Sequence, residues 1–258
     1  VEKHPLGTAG SVRQAADFLD ETFVVLSGDG ATDCDLTAAL AFHREKGALA
    51  TLVLKHMDQP LEYGVVSADA QGRVRRFVEK PGWDEVCSDT VNTGIYILEP
   101  EALRLIPEGQ AYDFSKQLFP EMLRQGLPLY AYTMEGYWCD IGDTGSYLRA
   151  HMDALDGKLK LDEVKPGVVN RARSAQVDRS AVVEAPCVIG EGAQIGPGAR
   201  IGAYSVIGAR CVVEENASVK RSVLMEGACL GAGVQVRGAV LMPESRMLAE
   251  SSAFEESV

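Results

Sequence analysis

The sequence lacks paired cysteines, an excess of basic charge and long apolar runs, and each absence excludes a class of protein. Its six cysteines are scattered, with no C-x-x-C pair, so a zinc site is not expected. The net charge of −12 at pH 7 argues against a nucleic-acid partner, because binding a phosphate backbone requires a basic face. No apolar run approaches the roughly 18 residues of a membrane span, and no secretory signal opens the chain.

These absences lead to an expected setting for the protein. Dispersed cysteines in a chain of 258 residues are typical of small buried side chains in a reducing compartment, so we expect a cytoplasmic protein without a membrane partner. The length suits one large domain or two ordinary ones. The chain begins at Val1, inside one pattern, and ends at Val258, inside another. We therefore expect a piece of a longer protein.

A strand that ends in an acidic residue stands near the start of the chain. The four apolar residues 23–26 predict a strand buried on both faces, and Ser27-Gly28-Asp29 follows directly. A helix is predicted from Leu36 to Lys46, with Gly47 as its stop signal. In open α/β sheets, ligands bind at the carboxyl ends of the strands. Asp29 is therefore either a metal ligand or the cap of a turn.

A glycine-bearing turn precedes this strand. Pro5-Leu6-Gly7-Thr8-Ala9-Gly10 leads into a predicted helix over residues 11–20. Two glycines let the backbone approach a flat ligand, and the helix start offers free N–H groups to acceptor atoms. The alternative is an ordinary entry from a loop into a helix.

Further polar positions follow in a predicted hairpin and strand. The arm that ends at Glu79-Lys80-Pro81 offers a carboxylate to sugar hydroxyls and an ammonium to a phosphate, or else a surface ion pair. The strand over residues 90–98 carries Asn92 and Thr93 near its start, where they suit hydroxyl recognition. A helix capped by Asp113 comes next.

A second short strand ends in an acid at Asp140, 111 positions after Asp29. If both strands belong to one sheet, both carboxylates reach one crevice. Mg²⁺ is usually held by one or two carboxylates together with substrate phosphates, and this pair suits it.

A six-residue period begins at Val177 and continues to the end of the chain. Fourteen copies of an aliphatic position can be followed, with one slip of register after Val223. The inward positions are predicted to be Val177, Val183, Ile189, Ile195, Ile201, Ile207, Val213 and Val219, then Leu224, Leu230, Val236, Met242, Leu248 and Phe254. Such a repeat predicts a parallel β-helix whose coils stack with the aliphatic position pointing inward.

In this order, the motifs resemble those of the sugar-nucleotide pyrophosphorylases, nucleotidyltransferases that join a sugar 1-phosphate to an NTP and release pyrophosphate. The closest resemblance is to the mannose-1-phosphate guanylyltransferase group with a C-terminal left-handed β-helix. It implies a partial Rossmann-like mixed α/β sheet with flanking helices over residues 1–157, a linker over 158–176 and the β-helix over 177–258. The flat faces of such a β-helix are prone to self-association, so we expect a homo-oligomer through the β-helix.

The resemblance assigns roles residue by residue. It implies Asp29, Asp140 and Lys80 as catalytic residues, with the two aspartates holding Mg²⁺ and Lys80 binding the sugar phosphate. It implies nucleobase contacts from Leu6, Gly7 and Thr8, and sugar contacts from Gly64, Glu79, Asn92 and Thr93. The implied substrates are GTP and mannose 1-phosphate. Glucose 1-phosphate with UTP, dTTP or ATP is the alternative.

One family element has no counterpart in this chain. The family opens with a glycine-rich loop, G-G-x-G-T-R-L, that wraps the triphosphate. We therefore expect the segment by itself to be inactive and assign the activity to the intact protein. A catalytically silent regulatory or assembly relative is a second hypothesis. A hexapeptide acyltransferase is disfavoured, since that class uses a histidine base on the β-helix and no histidine follows His151.

Overall fold

The structure is a computed structural model that describes residues 4–249 and 252–254. The first residues of the predicted sheet domain and the last residues of the predicted β-helix lie outside the described residues. The chain divides into two compact units, which are Val1–Gly30 with Cys34–Trp138, and Ala31–Asp33 with Cys139–Val258. None of the described helices is long and apolar enough to cross a bilayer.

Over the described residues 4–156, the chain forms four α-helices and eight strands. In chain order they are α1 (Gly7–Gln14), β1 (Phe23–Leu26), β2 (Gly30–Thr32), α2 (Leu36–Lys46), β3 (Ala50–His56), β4 (Gly64–Ala68), β5 (Val74–Glu79), β6 (Thr90–Leu98), α3 (Phe119–Arg124), β7 (Leu129–Thr133), β8 (Trp138–Asp140) and α4 (Thr144–Asp156). Short 3-10 helices cover Ala16–Phe18 and Pro100–Leu105, and a π-helical turn covers Phe114–Leu118.

The first unit is built on a mixed six-stranded sheet, as predicted. Its order is β5-β4-β6-β3-β7, and β1 pairs with β6. β6 is antiparallel to β1, β3 and β4, whereas β3 and β7 are parallel. One face packs around Leu98, Phe114 and Phe119, and the other packs against α2 around Val53 and Ile97. Both faces of the sheet therefore pack against a hydrophobic core.

The helix α2 shows why local sequence signals succeed here. Its bounds are those predicted, because both ends have a capping residue. The Asp35 carboxylate accepts the N–H of Ala38 at 2.9 Å, and Gly47 ends the helix with a φ of 57°.

Two predictions for the first unit are wrong. β1 is not buried on both faces, since Phe23 and Val25 face the core while Val24 and Leu26 are 38% and 54% exposed. The predicted helix over residues 11–20 instead begins at Gly7, ends at Gln14 and is followed by a 3-10 turn. Because glycine has a low helix propensity, we predicted that the helix begins after the two glycines. Tertiary contacts described below instead place Gly7 within its first turn.

The second unit contains a parallel β-solenoid. Three five-stranded sheets form its faces. The strands are β9 (Val169–Arg171), β10 (Gln176–Val177), β11 (Val182–Val183), β12 (Cys187–Ile189), β13 (Gln194–Ile195), β14 (Arg200–Ile201), β15 (Ser205–Ile207), β16 (Val212–Val213), β17 (Ser218–Lys220), β18 (Val223–Leu224), β19 (Cys229–Leu230), β20 (Gln235–Arg237), β21 (Val240–Leu241), β22 (Arg246–Met247) and β23 (Ser252–Ala253). β9 pairs with β12, so the ladder already includes residues of the predicted linker.

The hexapeptide register is confirmed through Val236 and corrected after it. Val182 pairs with Arg200, three hexapeptides further on, whereas Val206 pairs with Val223, one residue short of that spacing. A second shortening places Leu241 inside, 7% exposed, and leaves Met242 63% exposed.

The same shift moves the two later inward positions. Met247 and Ala253 pair with the inward residues Leu230 and Val236, so the predicted Leu248 and Phe254 lie on the surface instead. At each of these positions the sequence offers two adjacent residues for the inward position, and they differ by a shift of one residue in the register. The pairing with the neighbouring strand decides which of the two points inward.

Candidate functional site

The exposed end of β1 carries the first predicted acid. The Ser27 backbone N–H donates to the Gly94 carbonyl at 3.1 Å, and the Ser27 hydroxyl donates to the Asp29 carboxylate. Asp29 is exposed, and a side chain added at Gly28 would meet no atom within 4 Å. A carboxylate is thus held in open space at the carboxyl end of a strand, where a ligand has access.

An irregular stretch of β6 lies beside this strand end. The register between β3 and β6 shifts between Leu52 and Leu54, opposite residues 93–95, and Gly94 has a φ of 75°. A Cβ at Gly94 would lie 2.9 Å from the Ser27 Cβ, so this position requires glycine both for its conformation and for the close approach of β1.

The two polar residues of this stretch point in different directions. The Asn92 amide donates to the Tyr96 hydroxyl at 2.9 Å and to the Ser115 hydroxyl at 3.3 Å. Thr93 is buried, and its hydroxyl donates to the Val53 carbonyl at 2.7 Å. Asn92 is therefore the polar side chain of this pair that lies near other polar groups of the site, and Thr93 fixes the bulge.

The hairpin of β4 and β5 brings Gly64 against Glu79. The two residues are paired in the ladder, and a Cβ at Gly64 would lie 2.7 Å from Glu79 Oε2 and 2.9 Å from Phe77 Cζ. Burial raises the pKa of the Glu79 carboxyl above its ordinary value of 4.5, and the charge of Asp113 raises it further. The positive charges of Lys80 and Lys116 lower the pKa of Glu79 and so oppose this shift.

Lys80 follows Glu79 in a left-handed conformation. Its φ is 46°, its side chain is exposed, and its backbone N–H donates to the Tyr63 carbonyl at 3.1 Å. Non-glycine residues adopt this region at a cost, and such positions concentrate at functional sites. The conformation turns the chain sharply after β5 and leaves the ammonium group in solvent near the Glu79 carboxylate.

The first turn of α1 is closed by a neighbouring loop. The Ala9 and Gly10 N–H groups both donate to the Tyr112 carbonyl, at 2.9 and 3.0 Å. The sequence predicted N–H groups that are free to bind a ligand at this helix start, and for these two the prediction is wrong. A Cβ at Gly7 would lie 2.8 Å from the same oxygen. Leu6 is buried, and its carbonyl accepts the Tyr112 N–H at 2.8 Å.

Asp113 is central to the contacts of this region, and sequence reasoning identified it only as a cap. It does cap the π-helical turn, accepting the N–H groups of Ser115 and Lys116 at 2.9 Å. Its second oxygen accepts the Thr8 hydroxyl at 2.9 Å. No local pattern marks that contact, since the two residues are 105 positions apart.

Tyr96 is a second residue that sequence reasoning missed. Its ring packs against Phe114 and Phe119 with centroids 4.9 Å apart in both cases. Burial raises the pKa of its phenol, and the hydroxyl meets the Asn92 amide. Strand alternation places it on the same side as Asn92, which is the signal that would have found it.

Asp140 lies in the second unit. Its carboxylate accepts the Gly142 N–H at 3.0 Å, and the following Asp143 caps α4 through the Ser146 N–H at 2.9 Å. Over residues 4–249 and 252–254, no three His, Cys, Asp or Glu side chains are grouped closely enough to hold a metal ion. The shared use of Asp29 and Asp140 in a metal site stays a prediction.

The raised pKa of Glu79 predicts a pH-dependent difference in stability. Because folding favours protonated Glu79, its contribution to stability is complete below pH 4.5 and is lost as the pH rises through the pKa of the folded state. Glu79→Gln remains neutral, so its stability relative to wild type should increase as the pH rises from 4 to 7. Urea unfolding at each pH measures this difference, and the exposed Glu101→Gln serves as the control. A constant difference between Glu79→Gln and wild type would contradict the assignment.

Two family models match the chain. The nucleotidyl transferase model matches residues 1–157, and the model of the GMPPB C-terminal domain matches residues 183–252.

Several curated proteins are similar to the chain. A UTP–glucose-1-phosphate uridylyltransferase of Synechocystis is 45% identical over 63% of the chain and 45% of its own length. A probable mannose-1-phosphate guanylyltransferase of Arabidopsis thaliana is 38% identical over 61% of the chain and 44% of its own length. A mannose-1-phosphate guanylyltransferase of Mycobacterium tuberculosis is 34% identical over 60% of the chain and 44% of its own length. The chain thus matches less than half the length of these relatives.

Proposed function

The chain belongs to the nucleotidyl transferase family, and from this premise we propose that the complete protein joins a sugar 1-phosphate to a nucleoside triphosphate. A phosphate oxygen of the sugar 1-phosphate attacks the α-phosphorus, the bond from that phosphorus to the bridging oxygen breaks, and pyrophosphate leaves. No side-chain nucleophile takes part. The carrying observation is that Asp29, Asn92, Glu79 and Thr8 lie in one unit and are linked through direct contacts and shared neighbours.

The proposed roles follow from the chemistry of these side chains. Glu79 and Asn92 offer a carboxylate and an amide, which bind sugar hydroxyls. Gly64 is the proposed sugar contact beside them, and its missing side chain lets the Glu79 carboxylate lie against the backbone of β4. Lys80 offers a mobile positive charge to the sugar phosphate. Leu6, Gly7 and Thr8 remain the proposed nucleobase contacts, through backbone atoms at Leu6, whose side chain is buried. Thr93 acts through its backbone, since its hydroxyl is bonded inside the sheet.

The two aspartates are the proposed ligands of Mg²⁺. Both present carboxylate oxygens, the donor type that Mg²⁺ prefers, and Asp29 is exposed at the end of a strand. When bound, the ion offsets the negative charge on the phosphates. The residues of the chain contribute by holding the two substrates in line, which lowers the entropic part of the barrier.

The proposed substrates are GTP and mannose 1-phosphate. This choice is supported by the match of residues 183–252 to the GMPPB C-terminal domain and by the guanylyltransferases among the relatives. Glucose 1-phosphate with UTP is the second candidate, favoured by the relative that is 45% identical.

A matrix of substrates tests the proposal on the complete protein that carries this chain. Each of GTP, UTP, dTTP and ATP is combined with mannose or glucose 1-phosphate and Mg²⁺, and the released pyrophosphate and the sugar nucleotide are measured. We expect equal amounts of both products, with the largest kcat/KM for GTP and mannose 1-phosphate. A properly folded protein that turns over no pair would support the silent relative instead.

A cytoplasmic location and a homo-oligomer assembled through the solenoid complete the proposal. The location is supported by the six cysteines, none of which is in a disulfide within the part of the chain that the structure describes, as is usual in a reducing compartment. The oligomer is supported by the three five-stranded parallel sheets, because outward sheet faces and edge strands are surfaces on which a second copy can pack or pair. Sedimentation velocity on the complete protein tests it, and a monomer at all concentrations would contradict it.

A further inference from the structure

A continuous line of contacts runs through the first unit from α1 to the bulge in β6. The Thr8 hydroxyl donates to Asp113 at 2.9 Å, and Asp113 accepts the Ser115 N–H at 2.9 Å. The Ser115 hydroxyl lies 3.3 Å from the Asn92 amide, and the Gly94 N–H contacts Asn92 Oδ1 at 3.3 Å. The first residue of this line belongs to the proposed nucleotide site and Asn92 belongs to the proposed sugar site.

Asp113 has little freedom within this line. Its Oδ1 accepts two backbone N–H groups and its Oδ2 accepts the Thr8 hydroxyl. The Thr8 hydroxyl in turn accepts the Phe114 N–H at 3.1 Å, so Thr8 is bonded to this turn both as a donor and as an acceptor. A charged acceptor makes such hydrogen bonds stronger than those between neutral groups. The position of α1 is thereby fixed relative to the turn that carries Ser115.

A role as a helix cap alone does not require these contacts. Capping is satisfied by Oδ1, and asparagine caps helices as well as aspartate does. The bond from Oδ2 to Thr8 adds nothing to the cap but connects two segments that are far apart in sequence. Asp113 also lies close enough to Glu79 for its charge to act on that carboxylate.

We propose that Asp113 is a positioning residue that couples the nucleotide site to the sugar site through its hydrogen bond with Thr8. The inference rests on the proposed function. Displacement of α1 would be transmitted through Asp113 and Ser115 to Asn92, so loss of the Thr8 hydroxyl should weaken the use of the sugar 1-phosphate, which Thr8 itself is not proposed to contact.

Steady-state kinetics of the complete protein test this coupling with five variants. Thr8→Val removes the hydroxyl at constant shape, and Thr8→Ser retains it. Asp113→Asn keeps the cap but replaces the oxygen that accepts from Thr8, and the double variant combines Thr8→Val with Asp113→Asn. Thr22→Val is the matched control, because its hydroxyl donates to Glu99 at 2.8 Å, outside the proposed site.

We expect Thr8→Val and Asp113→Asn each to raise the KM for both substrates about tenfold, the value of one charged hydrogen bond. The double variant should be no worse than either single variant, because both remove the same interaction. Thr8→Ser, which keeps the hydroxyl, should show a smaller rise in the KM for the sugar 1-phosphate than Thr8→Val, and Thr22→Val should behave like wild type. Melting temperatures of all variants report whether they fold.

Three results overturn the inference while leaving the proposed function intact. They are a Thr8→Val variant altered only in the KM for the nucleotide, an Asp113→Asn variant with wild-type constants, and additive effects in the double variant. A wild-type protein that turns over no substrate pair overturns the proposed function, and this inference with it.

Discussion

Replacing Asp140 by asparagine is expected to lower kcat of the complete protein about a thousandfold, because a metal ion contributes several kcal/mol to phosphate-transfer transition states. Asparagine retains an oxygen that can accept the Gly142 N–H, which the carboxylate accepts at 3.0 Å, so the loop should keep its conformation. The loss should therefore arise from the missing charge. Pyrophosphate release as a function of Mg²⁺ concentration measures it, and Mn²⁺ binding followed by electron paramagnetic resonance reports the metal directly.

Asp143→Asn provides the matched control for this variant. It removes the same charge from the same loop, and asparagine can still cap α4, where the carboxylate accepts the Ser146 N–H at 2.9 Å. We expect it to retain most of the activity and the Mn²⁺ affinity of the wild type. Near wild-type turnover by Asp140→Asn, or equal losses in both variants, would contradict a metal-binding role for Asp140.

Replacing Phe119 by alanine is expected to destabilise the first unit by about 3–5 kcal/mol, the usual cost of deleting a buried aromatic ring. Phe119 is fully buried and packs against Phe77, Tyr96 and Phe114 with centroids 5.9, 4.9 and 5.7 Å away. Urea unfolding followed by tryptophan fluorescence measures the loss, because both tryptophans, Trp83 and Trp138, lie in the first unit.

Phe18→Ala is the matched control, since Phe18 is 86% exposed and should change the unfolding free energy by less than about 0.5 kcal/mol. The Phe119→Ala variant should also loosen Tyr96 and, through it, the Asn92 amide, because the two are joined by a hydrogen bond of 2.9 Å. A Phe119→Ala variant as stable as Phe18→Ala would show that this aromatic cluster does not hold the core of the first unit together.

Several elements could be predicted from the sequence because their signals are local. The bounds of α2 follow from Asp35 and Gly47, and those of β6 follow from an apolar run with one glycine. The solenoid is visible as a repeat, since each coil buries the same side-chain type at the same interval. The motifs that identify Asp29, Glu79 and Lys80 are equally short in range, and for that reason they could be recognised without a structure.

The exposed face of β1 and the inward residues after Val236 could not be predicted in the same way. The exposure of β1 and the inward residues of the last coils both depend on which strand lies beside them in the sheet. The apolar composition of a strand does not specify that neighbouring strand. Leu241 and Met242 are equally apolar, yet ladder pairing with Leu224 puts Leu241 inside. Likewise, an apolar run such as that of β1 is typical of a central strand, which has a neighbour on each side. In the part of the chain that the structure describes, β1 pairs with β6 alone.

By itself, the sequence determined the order of the elements, the repeat and the motif residues from which the proposed site is built, because these depend on neighbours along the chain. The tertiary structure decided which contacts those residues make. It closed the first turn of α1 with the Tyr112 carbonyl, turned the Thr93 hydroxyl into the sheet, and joined Thr8 to Asp113. Each of these contacts joins segments 40 or more positions apart, and a hydrogen bond across such a distance depends on packing and leaves no pattern in the sequence.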